Sequence, residues 1–474
     1  MRLLEALRRQ RARMTGVFPR AVKKACLALL LLFALGYPTS EACASIADLY
    51  GFGARAASLA GAFTAVADDF SAVYYNPAGL TAQRQPLEYM RKHGFRIENG
   101  VQFAKPSFYT QEQGREKQKG DLDLFSAISL GVTLEPFDLS GFLPRKCVAF
   151  GLGILSPIEY AYWWEREYPR EKVFVLHHDY NQHLMLIPAI AVEPIQRLSL
   201  GVGINVTIDS TADTYGQVTV DSAELKPLPG GSLFGSVDIT PSSNQLGQFA
   251  NIKAKFAPIV GILWQPTSWL RCGFAYRGEL YFDDKGTNDI LLRVMLPARG
   301  AGPGAAEIDL PIFFPSRFAR YYMPEEVSWA VALMPTEALL VTVDITWMRW
   351  SGYIPQIRTP VSFDQFVIEP GFKDTVVPRV GLEYRVAPKV SLLGGYNFQK
   401  SPVPDQPGYL NFVDNDRHVA SLGFEYAYRG FRLQGYYQHQ WAMNRLFEKE
   451  AMYGPSYRAA GYAYSFGLNL CAAF

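Results

Sequence analysis

The C-terminal residues 461–474, GYAYSFGLNLCAAF, decide the fold class of this chain. Large apolar residues occupy nearly every second position from Tyr462 to Leu470, and the residues between them are small or polar. Because successive side chains of a β-strand point to opposite sides, this segment is predicted to be a strand with one apolar and one polar face.

The same alternation recurs inside the chain. Between Asp121 and Glu135, and again between Leu198 and Asp209, apolar residues take one face, whereas the other face is mostly small or polar. Many of these segments have the 9 to 11 residues or more with which a tilted strand crosses a bilayer. About fourteen strands are predicted, near residues 87–105, 121–135, 146–156, 182–193, 198–209, 251–264, 269–281, 326–334, 339–349, 376–386, 389–400, 417–428, 431–442 and 459–474.

Short and long connections alternate between these strands. Tight connections are expected at 194–197, 265–268, 335–338, 387–388 and 429–430, and long loops at 157–181, 210–250, 282–325, 350–375, 401–416 and 443–458. Outer-membrane barrels have this asymmetry, with short periplasmic turns and long external loops. We therefore predict an all-β fold, a transmembrane antiparallel β-barrel of about 14 strands spanning residues 87–474.

Residues 1–44 have the features of an export signal. Several Arg and Lys residues precede the apolar stretch 25–35, and a small-residue site ends at Ala44, after which we expect cleavage. The apolar stretch is shorter than the roughly 20 residues of a membrane-spanning helix. A retained anchor stays open as an alternative, and Met14 is an alternative start.

Composition and charge exclude several classes of protein. Hydrophobic residues make up 49% of the chain and charged residues 19%, which excludes a disordered chain. The 46 basic and 44 acidic residues nearly balance, so nucleic-acid binding is disfavoured. After residue 44 only Cys147, Cys272 and Cys471 remain, without a C-x-x-C spacing, so neither a disulfide framework nor a zinc site is expected.

Residues 45–86 differ from the rest of the chain. They are rich in Ala and Gly, and 54–67 is predicted to be helical. In Asn76-Pro77-Ala78-Gly79, Asn suits a helix N-cap, Pro suits the first helical position, and Pro restrains the preceding Asn to an extended conformation. We expect a small helical hatch that plugs the barrel lumen.

These residues carry a family resemblance. The stretches 51–53, 60–65 (AGAFTA, with Phe63), 67–69 and 76–80 (NPAGL) resemble the hatch of the FadL/TodX outer-membrane transporters of long-chain fatty acids and aromatic hydrocarbons. The resemblance implies passive outer-membrane transport of hydrophobic compounds, with Asn76, Pro77, Ala78 and Gly79 inside the barrel. The terminal Phe474 likewise resembles the signal by which such barrels are recognised for insertion.

The resemblance also implies a kink in the third strand that opens the wall sideways into the membrane. By our count the third strand is 146–156, which contains Gly151 and Gly153 and is followed by Pro157. Gly marks bends in strands and Pro cannot donate to the ladder, so these three residues are candidates for a lateral opening. Gly201 and Gly203 show the same pattern and are expected only to make room inside, which leaves both interpretations open.

Aromatic residues of the 157–181 loop are candidates for external substrate capture. They are Tyr160, Tyr162, Trp163 and Trp164. Packing within the loop, or anchoring at the membrane surface, is the alternative interpretation.

A carboxylate ligand would require a basic group facing the lumen. The candidates opposite the apolar positions are Lys253, Lys255, Arg277 and Arg379. Each can equally be a solvated or ion-paired lumen charge.

Other functions are weighed and left as alternatives. Residues 51–56 fit a dinucleotide pattern but follow a signal instead of a strand, and His177, His178 and His183 lack matching carboxylates for a metal site. We expect no cofactor, no metal and no enzymatic activity. An outer-membrane enzyme acting on lipids, with His418 and His439 in late strands, and a non-transporting surface-binding barrel remain the alternatives. The expected partners are hydrophobic small molecules, outer-membrane lipid and the barrel-assembly machinery; we expect a monomer in the outer membrane of a Gram-negative bacterium.

Overall fold

The computed structural model describes most of the chain after residue 45. The described residues are 46–82, 95–120, 122, 124–138, 146–158, 172–177, 184–226, 236–296, 306–353, 370–408, 410–428 and 430–473. The signal peptide and Phe474 lie outside them, so both expectations stay predictions. None of the described helices is long and apolar enough to cross a membrane.

The described chain is mostly strand. The strands are β1 (Phe95–Glu112), β2 (Gln118–Lys119), β3 (Phe125–Asp138), β4 (Lys146–Pro157), β5 (Met185–Ile195), β6 (Leu198–Lys226), β7 (Ser236–Trp264), β8 (Leu270–Arg277), β9 (Leu280–Leu296), β10 (Ala306–Met323), β11 (Glu325–Thr336), β12 (Leu339–Arg349), β13 (Thr375–Ala387), β14 (Val390–Gln399), β15 (Arg417–Tyr428), β16 (Phe431–Phe447) and β17 (Tyr457–Ala473).

The sheet closes on itself. The first strand, β1, pairs with the last, β17, from Arg96 opposite Ala473 to Glu112 opposite Tyr457. Apart from the short β2 and the β9–β10 hairpin inserted between β8 and β11, each strand pairs antiparallel with the next. The predicted 14-stranded antiparallel barrel is confirmed.

The two faces of each strand are divided as the alternation predicts. On β6, Val202 and Ile204 are half exposed, whereas Asn205 and Thr207 are almost fully buried. On β17, Leu468 is half exposed and Ser465 is buried. The apolar face therefore looks outward, where lipid covers it, and the polar face looks into the lumen.

Two of the predicted long loops are instead strands. Residues 210–250 are mostly the outer halves of β6 and β7, which continue their barrel pairing, and 282–325 is mostly the β9–β10 hairpin. Strand β9 also runs parallel to β6, from Asn288 opposite Thr214 to Val294 opposite Val220. These segments extend beyond the membrane, where neither face has to be apolar, so the period-2 signal is lost from the sequence.

The opposite end of the barrel has tight turns, as expected. Strands β5 and β6, β11 and β12, and β13 and β14 are each separated by two residues. Trp264 and Trp269, beside the turn between β7 and β8, are half exposed, as an interfacial girdle requires. Trp350 is instead buried in a short 3₁₀ turn at the other end of the barrel, where it packs against Phe372.

The hatch consists of α1 (Ile46–Tyr50), α2 (Ala54–Ser58), α3 (Ala72–Tyr75) and a 3₁₀ helix (Pro77–Thr81). The prediction of one helix over 54–67 is wrong beyond Ser58. The chain turns at Ala60 and Gly61, whose φ angles are 52° and 79°. Helix propensity there is overridden by the need to fold back inside a narrow lumen, where most hatch residues are buried.

Candidate functional site

The Asn76-Pro77-Ala78-Gly79 turn lies against the inner wall of the barrel. Asn76 is extended, with φ −165° and ψ 98°, and caps the 3₁₀ helix through its side-chain oxygen, which accepts from the Ala78 N–H at 3.2 Å. Its Nδ2 donates to the Thr64 carbonyl at 2.8 Å and to the Ile262 carbonyl of β7 at 3.1 Å. The predicted cap is confirmed, and the same side chain also ties the hatch to the wall.

Gly79 is required by a close approach within the hatch. A Cβ at this position would overlap the carbonyl oxygen of Ala67. Phe63, the other hatch residue singled out from the sequence, is fully buried and packs edge to face on Tyr75 at 5.5 Å.

A belt of lumen-facing glycines lies where the hatch packs against the barrel wall. At each of them an added Cβ would come to 3.0 Å or less from a hatch atom. The glycine belt consists of Gly131, Gly151, Gly153, Gly201, Gly261, Gly273, Gly381, Gly395 and Gly423. The wall therefore lacks side chains where the hatch touches it, which lets backbone approach backbone.

Gly151 and Gly153 of the third strand face the hatch. Strand β4 pairs with β3 and with β5 through both glycines without a register shift. A Cβ at Gly151 would meet Leu80 and Val73, and one at Gly153 would meet Val73. The two glycines make room for the hatch, which is the role expected of Gly201 and confirmed there.

Pro157 is the last residue of β4. It still pairs with Ala127 of β3, and the last described pair between β4 and β5 is Leu155 with Met185. Residues 178–183, which precede β5, lie outside the described residues. The kink and an opening in the wall beside β4 both remain predictions.

Buried ion pairs fix the hatch to the wall. Arg55 of α2 pairs with Asp68 of the hatch and, at 2.8 Å, with Glu383 of β13. Arg277 of β8 pairs with Glu326 of β11 and, at 2.9 Å, with Asp48 of α1. Removing either partner would leave an uncompensated charge buried in the lumen, which is strongly destabilising.

Wall side chains also bind the hatch backbone. Asp344 of β12 accepts from the N–H groups of Phe63 and Thr64 at 3.0 and 2.8 Å. Asn397 of β14 donates to the Ala60 carbonyl at 2.9 Å, and Gln440 of β16 donates to the Leu49 carbonyl at 2.7 Å. These contacts satisfy the irregular hatch backbone inside the barrel.

The four predicted carboxylate partners fall into different settings. Arg277 is ion-paired, and its guanidinium lies 3.9 Å from the centroid of the Tyr74 ring. Arg379 donates to Thr346 and lines a small polar cavity between the hatch and the wall, next to Gly61. Lys255 lies 5.4 Å from the centroid of the Tyr281 ring, and the Lys253 side chain is outside the described part of the chain.

The lumen wall is chemically asymmetric. Among the described side chains, the buried residues of β4 and β5 are all apolar or glycine, for example Leu155 and Ile187. The opposite side is polar, and its buried residues include Thr342, Asp344, Thr346, Glu383, Asn397, Gln399, Gln434, Gln438 and Gln440. The described buried residues of β4, β5, β7 and β8 are therefore apolar or glycine, whereas those of β12 to β16 are mostly polar. The inner face of β4 and β5 is called the β4–β5 sector below.

One described loop segment packs inside the external end of the barrel. The capture candidates Tyr160, Tyr162, Trp163 and Trp164 lie outside the described residues. Further along the same loop, residues 172–177 enter the barrel, and Phe174 is almost fully buried against Phe108. Sequence reasoning missed this inward turn, because a short apolar run in a loop has no periodicity to interpret.

The remaining histidine candidates are also placed. His418 and His439 point outward among aromatic residues, with His418 2.7 Å from the Tyr396 hydroxyl and His439 stacked on Tyr462. Both therefore lie on the outer wall and not in the lumen. His178 and His183 are outside the described residues.

The family model of outer membrane transport proteins, OMPP1/FadL/TodX, matches residues 39–454. The chain belongs to this family. Family membership and the barrel fold together place it in the outer membrane of a Gram-negative bacterium. The observed hatch and fourteen strands agree with what the N-terminal motifs implied.

Individual relatives extend the comparison. Alkane uptake protein A of Marinobacter nauticus is 22% identical over 430 residues, which is 87% of each chain. The long-chain fatty acid transport protein of Escherichia coli K12 is 26% identical over 247 residues, 48% of this chain and 53% of that protein. Both are transport or uptake proteins by name.

Solved structures of FadL/TodX proteins share the fold. A Pseudomonas aeruginosa FadL homologue superposes with a TM-score of 0.57 at 14% identity, covering 92% of this chain and all of that one. The toluene transporter TodX of Pseudomonas putida gives 0.55 at 13% identity over 90% and 99%.

The dinucleotide-like stretch has a structural role in this fold. It is preceded by α1 instead of a strand, and Gly51 and Gly53 have φ angles of 92° and 88°. A Cβ on Gly51 would meet Ala57. Its glycines make the turns that join α1 to α2.

Proposed function

We propose that this protein carries hydrophobic compounds passively across the outer membrane, along the contact between the hatch and the β4–β5 sector. The observation that supports this route most strongly is the apolar inner face of β4 and β5, opposite a wall that is mostly polar. Along it, the hatch presents Phe52, Val73 and Leu80 to the glycines of β4. A hydrophobic molecule that follows this route remains in contact with apolar groups.

The chemistry of the substrate explains the need for such a sector. An acyl chain of about 17 carbons carries roughly 13 kcal/mol of apolar transfer free energy at about 0.8 kcal/mol per CH₂. A water-filled pore would leave most of this unfavourable contact with water in place. Passive flow down a concentration gradient then requires an apolar route and no nucleotide.

The relatives suggest the substrate range. Their names refer to alkanes, long-chain fatty acids and toluene, and we propose that this chain takes molecules of the same hydrophobic class. For fatty acids we propose Arg379 as the group that meets the carboxylate, because Arg277 is already engaged by Asp48 and Glu326.

The role of Arg379 is tested by comparing two substrates. Arg379→Gln should lower uptake of oleate while leaving uptake of hexadecane at the wild-type rate, because hexadecane has no charge to bind. Equal loss of both substrates would instead show that Arg379 only supports the hatch.

We further propose that the substrate leaves sideways into the outer membrane beside the outer end of β4, beyond Leu155, the last described residue of β4 that pairs with β5. On this proposal the protein is a monomeric transporter without enzymatic activity, and the barrel-assembly machinery inserts it through the Phe474 signal. A purified protein that hydrolyses a labelled lipid would contradict the non-enzymatic part.

Deletion of Asn76–Ala78 tests the function as a whole. Uptake of hexadecane and oleate should be lost in a strain lacking related transporters, while the barrel still inserts and shows heat-modifiable gel mobility. The matched control deletes the exposed turn Ala451–Tyr453, which should leave uptake intact. Normal uptake by the first deletant would refute the role of the hatch.

A further inference from the structure

Residues 172–177, the gate segment, fill the external mouth of the barrel. They belong to the connection between β4 and β5, yet Phe174, Val175 and Leu176 are 3%, 0% and 2% exposed. Three consecutive apolar residues of an external loop are thus as buried as a protein core. The chain itself occupies an apolar pocket at the entrance of the lumen.

The pocket is built from the hatch and three wall strands. Phe108 of β1 stacks on Phe174 with ring centroids 5.2 Å apart, and Tyr50 of α1 stacks on Phe125 of β3 at 6.0 Å. Met185 of β5 and Leu122 are buried in the same apolar cluster. Because β5 also carries the β4–β5 sector, the pocket and that sector share a strand.

Polar contacts hold the outer end of the gate segment in place. Lys172 pairs with Glu112 at 2.7 Å, and Val173 exchanges backbone hydrogen bonds with Asn411 and Val413 at 3.1 and 2.7 Å. The only described strand-type pairing of the segment is one isolated bridge, between Val173 and Phe412.

The inner end of the gate segment rests on the hatch and on β15. The His177 ring lies between the Tyr50 hydroxyl, at 3.3 Å from Nδ1, and the Arg417 guanidinium, at 3.2 Å from Nε2. Arg417 is held in turn by Asp414 at 3.0 Å and Gln399 at 2.7 Å. Movement of the gate segment is thereby linked to the hatch helix that lines the inner cavity.

We propose that this pocket is the entry site for the hydrocarbon part of the substrate, and that Phe174, Val175 and Leu176 are its resident occupants until a substrate displaces them. The proposal rests on the transport function proposed above. The apolar side chains and an alkyl or aromatic substrate compete for the same pocket walls. One or the other always covers these walls, so the walls are not exposed to water. The part of the substrate that binds here is an alkyl chain or an aromatic ring, since Phe108, Phe125 and Met185 are apolar.

Locking the gate segment tests this directly. In a background with Cys147, Cys272 and Cys471 changed to Ser, Val173→Cys with Phe412→Cys places two thiols on bridged residues. Uptake of labelled hexadecane by cells should fall at least tenfold under oxidising conditions and recover on reduction. The matched control, Gln111→Cys with Arg458→Cys, links paired residues of β1 and β17 and should transport equally in both states.

The outcomes separate the two proposals. Equal uptake by the locked and reduced forms, with the disulfide verified by mass, would overturn the entry site alone. Absence of uptake by the wild type would overturn the transport function and the entry site with it.

Emptying the pocket is the complementary measurement. Val175→Ala with Leu176→Ala should bind hexadecane at least fivefold more tightly in detergent, because fewer side chains must be displaced. Leu263→Ala truncates a buried residue of β7 outside that apolar cluster, near the tight turn between β7 and β8, and should leave the affinity unchanged. Unchanged or weaker binding by the folded double variant would overturn the proposal.

Discussion

At the scale of single residues, Gly79 shows how little space the hatch leaves. Its missing Cβ is what allows the 3₁₀ helix to lie on the backbone of residue 67. Gly79→Ala would force the two backbones apart, and overpacking of this kind costs about 1–3 kcal/mol or more. We expect uptake below a tenth of the wild-type rate, measured with hexadecane in cells that carry equal amounts of folded barrel.

A matched control exists on the barrel wall. A Cβ at Gly394 would make only ordinary contacts with Leu422 and Ser421, both at 3.7 Å. Gly394→Ala should therefore transport normally. If Gly79→Ala also transported normally, the close approach of the NPAGL turn to residue 67 would be unnecessary for function.

His177 makes the external mouth sensitive to pH. Burial lowers the pKa of His177 well below its ordinary value, and the Arg417 guanidinium lowers it further. The groups that face the ring are Tyr50 from α1, Phe108 from β1 and Arg417 from β15, the last paired with Asp414. None of them is an acid in contact with the ring, so the seated His177 is neutral.

The direction of the effect follows from proton uptake. A released His177 takes up a proton near its ordinary pKa of about 6.5, whereas the seated one does not. The seated state is thus fully favoured above that pH and weakens as the pH falls, by up to about 1.4 kcal/mol for each unit below it. Hexadecane uptake should rise between pH 7.5 and 5.5, whereas His177→Gln, which can still accept from Arg417, should show a flat profile. A rise of equal size in that variant would assign the pH effect to another group.

At the scale of elements, the hatch turn over residues 60–67 depends on one wall carboxylate. Asp344 is fully buried and accepts from two consecutive backbone N–H groups of that turn. Hydrogen bonds to a charged group contribute about 1.5–3 kcal/mol each. Asp344→Ala should loosen the hatch and produce ion conductance in planar bilayers, where the wild type should show almost none.

Two further variants test whether the Asp344 carboxylate itself is responsible. Asp344→Asn keeps one acceptor oxygen and should leak less than the alanine variant. Asp374→Ala removes a carboxylate that accepts from the Ser351 N–H in an exposed loop, and should not leak. Conductance equal to that of the wild type in Asp344→Ala would show that the ion pairs and the glycine belt suffice to hold the hatch.

At the scale of the whole molecule, the outward apolar face decides whether the barrel is inserted. Leu422, in the middle of β15, is 69% exposed on this face. An Arg near the bilayer midplane costs about 2–4 kcal/mol. Leu422→Arg should lower the free energy of unfolding in lipid vesicles by that amount, and Leu422→Phe should change it little. A soluble, envelope-free protein would contradict the outward orientation itself.

Much of the architecture could be predicted because its signal is local. The alternation on β6 and β17 and the Asn76 cap each depend on neighbouring residues, and each agrees with the structure. The external extensions of β6 and β7 could not be predicted, because outside the bilayer no solvent imposes a period. The helix expected over 54–67 failed for a related reason, since the lumen wall and not local propensity decides where the hatch turns.

Thus the sequence alone determined that lipid covers one face of the membrane-spanning strands and that the small residues of the hatch enter the barrel, because apolar alternation and side-chain size are local properties of the sequence. Only the tertiary structure decided which contacts these residues make in the lumen. Gly151 and Gly153 make room for Val73 and Leu80, Arg277 anchors the hatch, and residues 172–177 pack at the entrance. Each of these roles depends on partners distant in sequence, whose positions follow from closure of the barrel around the hatch.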